Sequence, residues 1–182
     1  MKEAVYHGQV VCMKVQKNLL MIERAQADDV EAVVRLFVDA AVWMKSRGIY
    51  QWTTSPKPRF WEHVRQKIGE GEVFVVRGEH GRLLGHIRFD YEAGRIWPDD
   101  PADTAYVRGL VIANKMRGQG LGAEMLDWAQ GYARQKGYWR LRLDCLAEND
   151  RLCQYYADYG FAFLGEGYSG SYTAALFEMM LV

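Results

Sequence analysis

A glycine-rich turn follows an apolar run near the middle of the sequence and could hold a phosphate group. Gly118, Gly120 and Gly122 come soon after the apolar residues 110–112. Glycine has no Cβ, so its backbone can turn tightly and approach a ligand closely. A helix that follows such a turn directs unpaired N–H groups and its positive dipole end toward an anion. The turn therefore predicts a pyrophosphate site, with Arg117 as an additional cation.

Two common nucleotide motifs do not fit this turn. It lacks the Gly-Lys-Ser/Thr ending of a P-loop, and its glycine spacing is not the G-x-G-x-x-G of dinucleotide folds. We therefore expect neither ATP nor NAD there. Such a turn can also serve only to pack a strand against a helix, so the surrounding sequence has to decide between the two interpretations.

A second group of chemically suggestive residues lies downstream of the turn. Residues 138–146 alternate in polarity as a strand does, and a short helix follows that ends at a Gly-Phe pair. Together with the turn, this pattern resembles the GNAT superfamily of acyl-CoA N-acyltransferases. The residues that carry the resemblance are Arg117, Gly120, Gly122, Asn149, Tyr156, Gly160 and Phe161. The resemblance is close over residues 106–163 and looser over residues 20–182.

The resemblance implies an acetyl-CoA site between two strands that splay apart. The main chain of Leu110, Val111 and Ile112 would pair with the pantetheine arm. The residues implied at the pyrophosphate are Arg117, Gly118, Gln119, Gly120, Leu121 and Gly122. Asn149 would lie beside the cofactor, although asparagine is also a favoured helix N-cap, and both roles can hold at once.

The resemblance also implies that Tyr156 contacts the cofactor and acts as the general acid. Its hydroxyl would protonate the departing CoA thiolate, since a phenol has a reference pKa of about 10 and a thiol one of about 8.5. The alternative is an aromatic residue that only packs the apolar face of a short helix. The spacing to Asn149 and to the Gly-Phe pair favours the acid.

The general base is left open by the sequence. An acceptor amine must lose a proton, but residues 106–110 offer no Glu or His where relatives often place one. Asp144 and Glu148 are the nearest acids in sequence, and His86 could simply be a packed strand residue. Arg108 could repel a protonated amine, bind an acidic group of the substrate, or be ion-paired.

Aromatic and amide residues are concentrated around the loop between the first two predicted helices. They are Trp43, Tyr50, Gln51, Trp52 and Trp61. Such residues could wall an acceptor site by stacking or cation–π attraction, or they could belong to the core. We take Trp43, Gln51 and Trp52, together with Arg108, as candidate substrate-binding residues. This aromatic wall favours a small-molecule amine over a protein acceptor.

The three cysteines, Cys12, Cys145 and Cys153, form neither a CxxC pair nor a His-rich metal pattern. We therefore predict reduced, structural thiols and no metal. A covalent acyl-cysteine route is an alternative, but no His partner for either downstream cysteine is evident from the sequence.

Composition narrows the class of protein. The chain has 182 residues with 23 basic and 23 acidic side chains interspersed, which argues against a nucleic-acid partner. No apolar stretch approaches the length that spans a membrane, and no signal peptide is evident, so we expect a cytoplasmic protein without a membrane partner. The length fits one domain over residues 19–182. Residues 1–18 form an N-terminal extension of open role, in which 10–13 could add an edge strand or could be flexible.

Periodicity predicts an α/β fold. Strands are predicted at 19–24, 72–77, 82–91, 104–113, 138–146, 161–166 and 172–182. Helices are predicted from Asp28 to near Gly48, after Pro58, at 121–136 and at 150–159. Asp28 is expected to cap the first helix with Glu31 as its capping-box partner. The resemblance implies a single domain with a mixed, mostly antiparallel GNAT-like sheet, helices on both faces and a splayed central strand pair.

These observations together predict an acetyl-CoA-dependent N-acetyltransferase. The acetyl group would pass by direct attack to a primary amine, in our interpretation that of a small molecule. A protein or peptide N-acetyltransferase and a non-catalytic acyl-CoA-binding sensor are the alternatives. Homodimers are common in the resembled family, but no apolar stripe marks an interface. The acceptor, the acyl-chain preference and the oligomeric state stay open.

Overall fold

The computed structural model describes residues 10–15, 18–168, 170 and 172–181. Within these residues lie eight strands and four α-helices. The strands are β1 (Val10–Val15), β2 (Asn18–Arg24), β3 (Val73–Arg77), β4 (Leu83–Asp90), β5 (Thr104–Ile112), β6 (Arg140–Leu146), β7 (Ala162–Tyr168) and β8 (Thr173–Met180). The helices are α1 (Val30–Lys45), α2 (Pro58–Gly69), α3 (Leu121–Gln135) and α4 (Asp150–Tyr159). Residues 1–9 of the predicted extension lie outside the described residues.

The chain divides into two compact units. The first contains the described residues up to Arg88 and Gly109–Met125, and the second contains Phe89–Arg108 and the residues from Leu126 onward. As a result, β4, β5 and α3 each contribute residues to both units. The prediction of a single domain over residues 19–182 stays a prediction.

The first unit is built on antiparallel strands joined in chain order. β1 pairs with β2, β2 with β3, and β3 with β4. The predicted hairpin between β3 and β4 is therefore confirmed, and residues 10–15 do add a strand. Apolar side chains of α1 and β3 form the core, which includes Val33, Val34, Val73 and Val75. Burial of these β-branched side chains fixes α1 against the sheet.

The second unit contains the predicted parting of two strands. β5 runs parallel to β6, and their register extends from Thr104↔Arg140 to Val107↔Leu143. Within the described residues, the β5–β6 register ends there, whereas β6 continues to pair with β8 as far as Leu146↔Ala174. β7 pairs antiparallel with β8. Backbone groups of β5 beyond Val107 are thus no longer paired with β6.

The start of α1 differs from the prediction. A 3-10 turn at Ala27–Asp29 precedes the helix, and the reciprocal capping contacts join Gln26 and Asp29. The Asp29 carboxylate accepts a hydrogen bond from the Gln26 backbone N–H at 2.7 Å and another from Arg77 at the same distance. Asp28 is exposed, so its predicted cap is wrong. Asp29, and not Asp28, makes the capping contact because its carboxylate is also held by an ion pair with Arg77, a residue distant in sequence.

None of the helices in the described ranges is both long enough and apolar enough to cross a membrane.

Candidate active site

The glycine turn lies in the first unit, between a 3-10 turn at Asn114–Met116 and the start of α3. Gly118 and Gly120 have φ values of 72° and 87°, a region that residues with a Cβ rarely adopt. A Cβ at either position would have no atom within 4 Å. Glycine is therefore required here by the backbone conformation and not by a steric clash with neighbouring atoms. The space beside the backbone is open.

Several backbone N–H groups of the turn are unpaired. Within the described residues, Gly118, Gly120, Leu121 and Gly122 donate to no protein acceptor, whereas the N–H of Gln119 donates to the Met116 carbonyl at 3.3 Å. Adjacent unpaired N–H groups at a helix N-terminus suit an anion with several acceptor oxygens. This arrangement fits the pyrophosphate of acetyl-CoA, as the sequence predicts.

Arg117 is held against an aromatic ring. Its guanidinium carbon lies 3.8 Å from the centroid of the Trp43 ring, and its Nε donates to Asn114 Oδ1 at 3.0 Å. The Arg47 guanidinium lies 4.0 Å from the centroid of the same ring. Burial, and secondarily the charge of Arg47, lowers the pKa of Arg117. The Trp43 ring thus contacts two arginine side chains of the protein. The sequence instead predicts that this ring contacts the acceptor substrate.

The part of β5 that was predicted to pair with pantetheine begins after an irregular residue. Gly109 has φ 58°, and a Cβ there would lie 2.9 Å from Phe37 Cζ, so only glycine fits. Val111 is buried in the core of the first unit, and Leu110 and Ile112 are half-buried. The predicted role of this backbone at the pantetheine stays a prediction.

His86 fixes the carbonyl of Gly109. Its Nδ1 donates to Gly109 O at 2.7 Å, because a carbonyl can only accept. Burial is the main cause that lowers the pKa of His86 to about 4. The side chain is therefore neutral at physiological pH, with the proton on Nδ1. His86 is a packed strand residue, as the sequence allowed, and it also holds the backbone of β5 in place.

An aromatic cluster surrounds His86 within the first unit. The Phe37 ring centroid lies 5.0 Å from that of His86, 5.0 Å from that of Trp52 and 5.4 Å from that of Phe60. Trp52 therefore has a packing role beside its predicted substrate role. Phe37 and Phe60 were not predicted as site residues, and their helical spacing signalled only a core position.

Gln51 contains an unusual buried acceptor. Its Oε1 has no hydrogen-bond partner among the described residues. Buried polar atoms are nearly always paired, so an orphaned acceptor on the residue that precedes Trp52 is chemically notable. Tyr50 is exposed and Trp61 packs against the core, so neither has a comparable feature.

Tyr156 lies in the second unit, buried near the middle of α4. Its ring packs against Phe177 at 5.7 Å and Phe161 at 6.0 Å between centroids. Its hydroxyl makes no hydrogen bond to the described residues. Burial raises the pKa of Tyr156 above its ordinary value, with a smaller effect from Cys145. The phenol thus keeps its proton at neutral pH, and no protein group in the described ranges engages that proton.

Asn149 caps α4, as its alternative interpretation predicts. Its Oδ1 accepts a hydrogen bond from the Leu152 backbone N–H at 3.3 Å, and the side chain is buried. At the other end of the helix, Gly160 has φ 115°, the left-handed conformation that ends many helices. The Asn149 and Gly160 pattern therefore sets the limits of the helix that carries Tyr156.

Arg108 is ion-paired directly after the point where β5 and β6 part. Its Nη1 contacts Asp144, its Nε lies 3.7 Å from Asp90 Oδ2, and its Nη2 donates to the Ala93 carbonyl at 2.6 Å. Of the three alternatives that the sequence left open for Arg108, the structure shows the ion pair. Asp144 is engaged by this arginine, and Glu148 is exposed in a turn. The general base stays open.

Potential metal ligands do not cluster. The described residues hold no group of three or more His, Cys, Asp or Glu side chains that could bind a metal ion. Cys145 and Cys153 are free thiols with their Sγ atoms 3.6 Å apart. The side chain of Cys12 is not among those that the structure describes.

Comparison with known proteins identifies the family. The sequence profile of the Acetyltransferase (GNAT) family matches residues 30–161. A relative from Bacillus subtilis strain 168, named Uncharacterized N-acetyltransferase YesJ, is 32% identical over 147 residues, which cover 79% of this chain and 82% of the relative.

Solved structures show the same fold. A GNAT-family acetyltransferase from Listeria monocytogenes 4b F2365 matches with a TM-score of 0.74 and 24% identity, over 93% of this chain and 99% of that chain. The yncA protein of Salmonella typhimurium, solved with its cofactor acetyl-CoA, matches with a TM-score of 0.64 and 17% identity, over 90% and 94% of the two chains.

These matches define the class of protein as an acyltransferase with an α/β fold and a mixed, mostly antiparallel sheet. The chain belongs to the GNAT acetyltransferase family and is an acetyl-CoA-dependent N-acetyltransferase. The predicted family, fold and enzyme class are confirmed.

Proposed function

We propose that this N-acetyltransferase moves the acetyl group directly to the primary amine of a small molecule, with Tyr156 as the general acid. The observation that carries the proposal is the phenol of the buried residue Tyr156, which keeps its proton and whose hydroxyl has no hydrogen-bond partner among the described residues. A phenol in this state has a proton to give and no competing acceptor.

Bound acetyl-CoA supplies the thioester. As the amine nitrogen bonds to the carbonyl carbon, the carbon–sulfur bond breaks and the sulfur leaves with its electron pair. Tyr156 Oη donates a proton to that sulfur, and the amine gives up a proton to solvent or to a base. Burial makes the Tyr156 phenol a weaker acid, and a thiolate that forms in a water-poor site is a stronger base than in water, so the two effects offset each other.

The cysteines argue for direct transfer over an acyl-cysteine route. Cys145 is buried, and this burial raises the pKa of its thiol, so the nucleophilic thiolate is disfavoured. Activation of a cysteine usually needs an adjacent base such as histidine. The contacts of Cys153 Sγ are with Cys145 Sγ and with the carbonyls of Leu146 and Ala147, none of which is such a base.

The proposed acceptor class rests on the residues around Gln51. A primary amine has N–H donors for the orphaned Gln51 Oε1, and the flat rings near Trp52 suit a compact ligand. His86 is neutral, so it adds no positive charge that would repel an amine. These features support a small amine over a large polypeptide acceptor.

Isotope-labelled acetyl-CoA in a crude extract tests the proposed acceptor. Label is separated into small metabolites and protein, and the enzyme-free reaction is subtracted. We expect label in small metabolites, whose masses then identify the amine. Label only in protein would replace the proposal with a polypeptide acetyltransferase. Binding of acetyl-CoA without label in either fraction would favour a sensor.

A further inference from the structure

Two free thiols meet beneath the helix that carries Tyr156. Cys145 is buried on β6, Cys153 is half-buried on α4, and their Sγ atoms are 3.6 Å apart. Free cysteines in cores usually lie apart and act as small apolar side chains. Two thiols in mutual contact can instead exchange two electrons as a pair.

We propose that Cys145 and Cys153 form a redox modification site, which a small disulfide compound oxidises to a reversible intramolecular disulfide. We further propose that this bond lowers acetyl transfer by shifting α4. The disulfide itself is independent of the proposed function. The loss of transfer rests on the proposed role of Tyr156.

An open groove gives a reagent access to one of the two sulfurs. The groove has a volume of about 370 Å³ and is lined by Cys153 but not by Cys145. Asp150 and Glu166 also line it. Their negative charges favour a neutral or cationic disulfide over an anionic one. A compact aliphatic disulfide without negative charge therefore suits the groove.

Access and proton affinity set the order of the two thiols. The Cys153 thiolate attacks one sulfur of the small disulfide, which releases one small thiolate and leaves a mixed disulfide on Cys153. The Cys145 thiolate then attacks Cys153 Sγ and expels the second small thiolate. Two cysteine thiols are oxidised, one small disulfide is reduced to two thiols, and these take up the two protons. Burial raises the pKa of Cys145, so it is unsuited to react first.

Closing the disulfide requires movement. The sulfurs must approach from 3.6 Å to about 2.05 Å. β6 is held by its register with β5 and β8, so we expect α4 to move. Tyr156 is three residues beyond Cys153 on that helix and packs against Phe177. A displacement of about 1 Å in a catalytic group can cost about 100-fold in rate.

Oxidation of the full-length protein tests this proposal. The reduced protein is incubated with bis(2-hydroxyethyl) disulfide, quenched in acid, and analysed by thiol titration and intact mass. We expect Cys145 and Cys153 to lose their thiols together, with the two hydrogens of those thiols absent from the mass of their peptides. A digest should link the peptides of Cys145 and Cys153. Acetyl transfer should fall by about tenfold or more and recover on addition of dithiothreitol.

Single substitutions provide matched controls. Cys12→Ala should form the same disulfide, and Cys145→Ala should stop at the mixed disulfide on Cys153. Cys153→Ala changes a half-buried side chain, and this variant should keep its activity in the presence of the reagent. Three free thiols after the reaction, or a bond to Cys12, would overturn the modification site. A linked pair with full activity would overturn the coupling to α4, whereas Tyr156→Phe in the reduced protein tests the acid independently.

Discussion

Burial shifts the proton affinity of two key side chains in opposite directions. It raises the pKa of the Tyr156 phenol, and it lowers the pKa of the His86 imidazole to about 4. Both shifts have one cause, since a charged form loses its hydration when its side chain is buried. Both groups are therefore uncharged at neutral pH. Tyr156 keeps its phenol proton, and His86 keeps a fixed tautomer that donates to the Gly109 carbonyl.

The neutral His86 predicts a pH dependence of stability. Between about pH 6.5 and 4 the unfolded chain protonates this histidine, whereas the folded chain does not. The free energy of unfolding therefore has its full value above pH 6.5 and falls by up to about 3 kcal/mol as the pH approaches 4. His86→Gln keeps an N–H donor but cannot titrate, so its unfolding free energy should fall less over this range. Urea unfolding at both pH limits measures the difference, and equal slopes in the two proteins would contradict this account.

At the scale of elements, the two ends of α3 offer a matched pair of glycines. Gly120 precedes the helix and Gly137 follows it, both have φ 87°, and a Cβ at either would meet nothing within 4 Å. Alanine at either position should therefore cost a similar amount of stability, about 1–2 kcal/mol. Only Gly120→Ala should weaken acetyl-CoA binding, because its Cβ enters the space beside the unpaired N–H groups. Calorimetric titration decides this, and equal affinities for the two variants would argue against a pyrophosphate site at the turn.

The start of α1 offers a second matched pair. Asp29 joins the Gln26 backbone to Arg77, whereas Asp28 is exposed. Asp29→Asn should lower the free energy of unfolding by about 2 kcal/mol, because it weakens one of the two carboxylate partners of Arg77, the other being Glu23. Asp28→Asn should change it by less than about 0.5 kcal/mol. Chemical denaturation of both variants provides the measurement, and a larger loss at Asp28 would restore the cap that the sequence predicts.

At the scale of the whole molecule, local patterns were sufficient to predict the elements. Alternation located β6, helical spacing located α1, and Pro58 and Gly160 marked helix ends, because each signal depends on residues near one another in sequence. The parting of β5 from β6 followed from the family resemblance. Helices, strands and the glycine turn before α3 were therefore accessible before the structure.

Contacts between distant residues were not accessible in this way. The pairing of Arg77 with Asp29, of Arg108 with Asp144, and of Arg117 with Trp43 depends on which elements become neighbours. Sequence spacing cannot give the separation of side chains that lie tens of residues apart. For the same reason, it did not predict the orphaned acceptor of Gln51.

The acid role of Tyr156 is the central claim, and transfer by the variant Tyr156→Phe tests it most directly. Tyr159→Phe is the control, since it removes a phenol hydroxyl from the same helix, one that bonds to Gln130 and Asp127. With labelled acetyl-CoA and extract, we expect Tyr156→Phe to transfer about 100-fold more slowly or worse, with unchanged acetyl-CoA affinity, while Tyr159→Phe keeps its rate. Full transfer by Tyr156→Phe would contradict the account and reduce Tyr156 to a core residue.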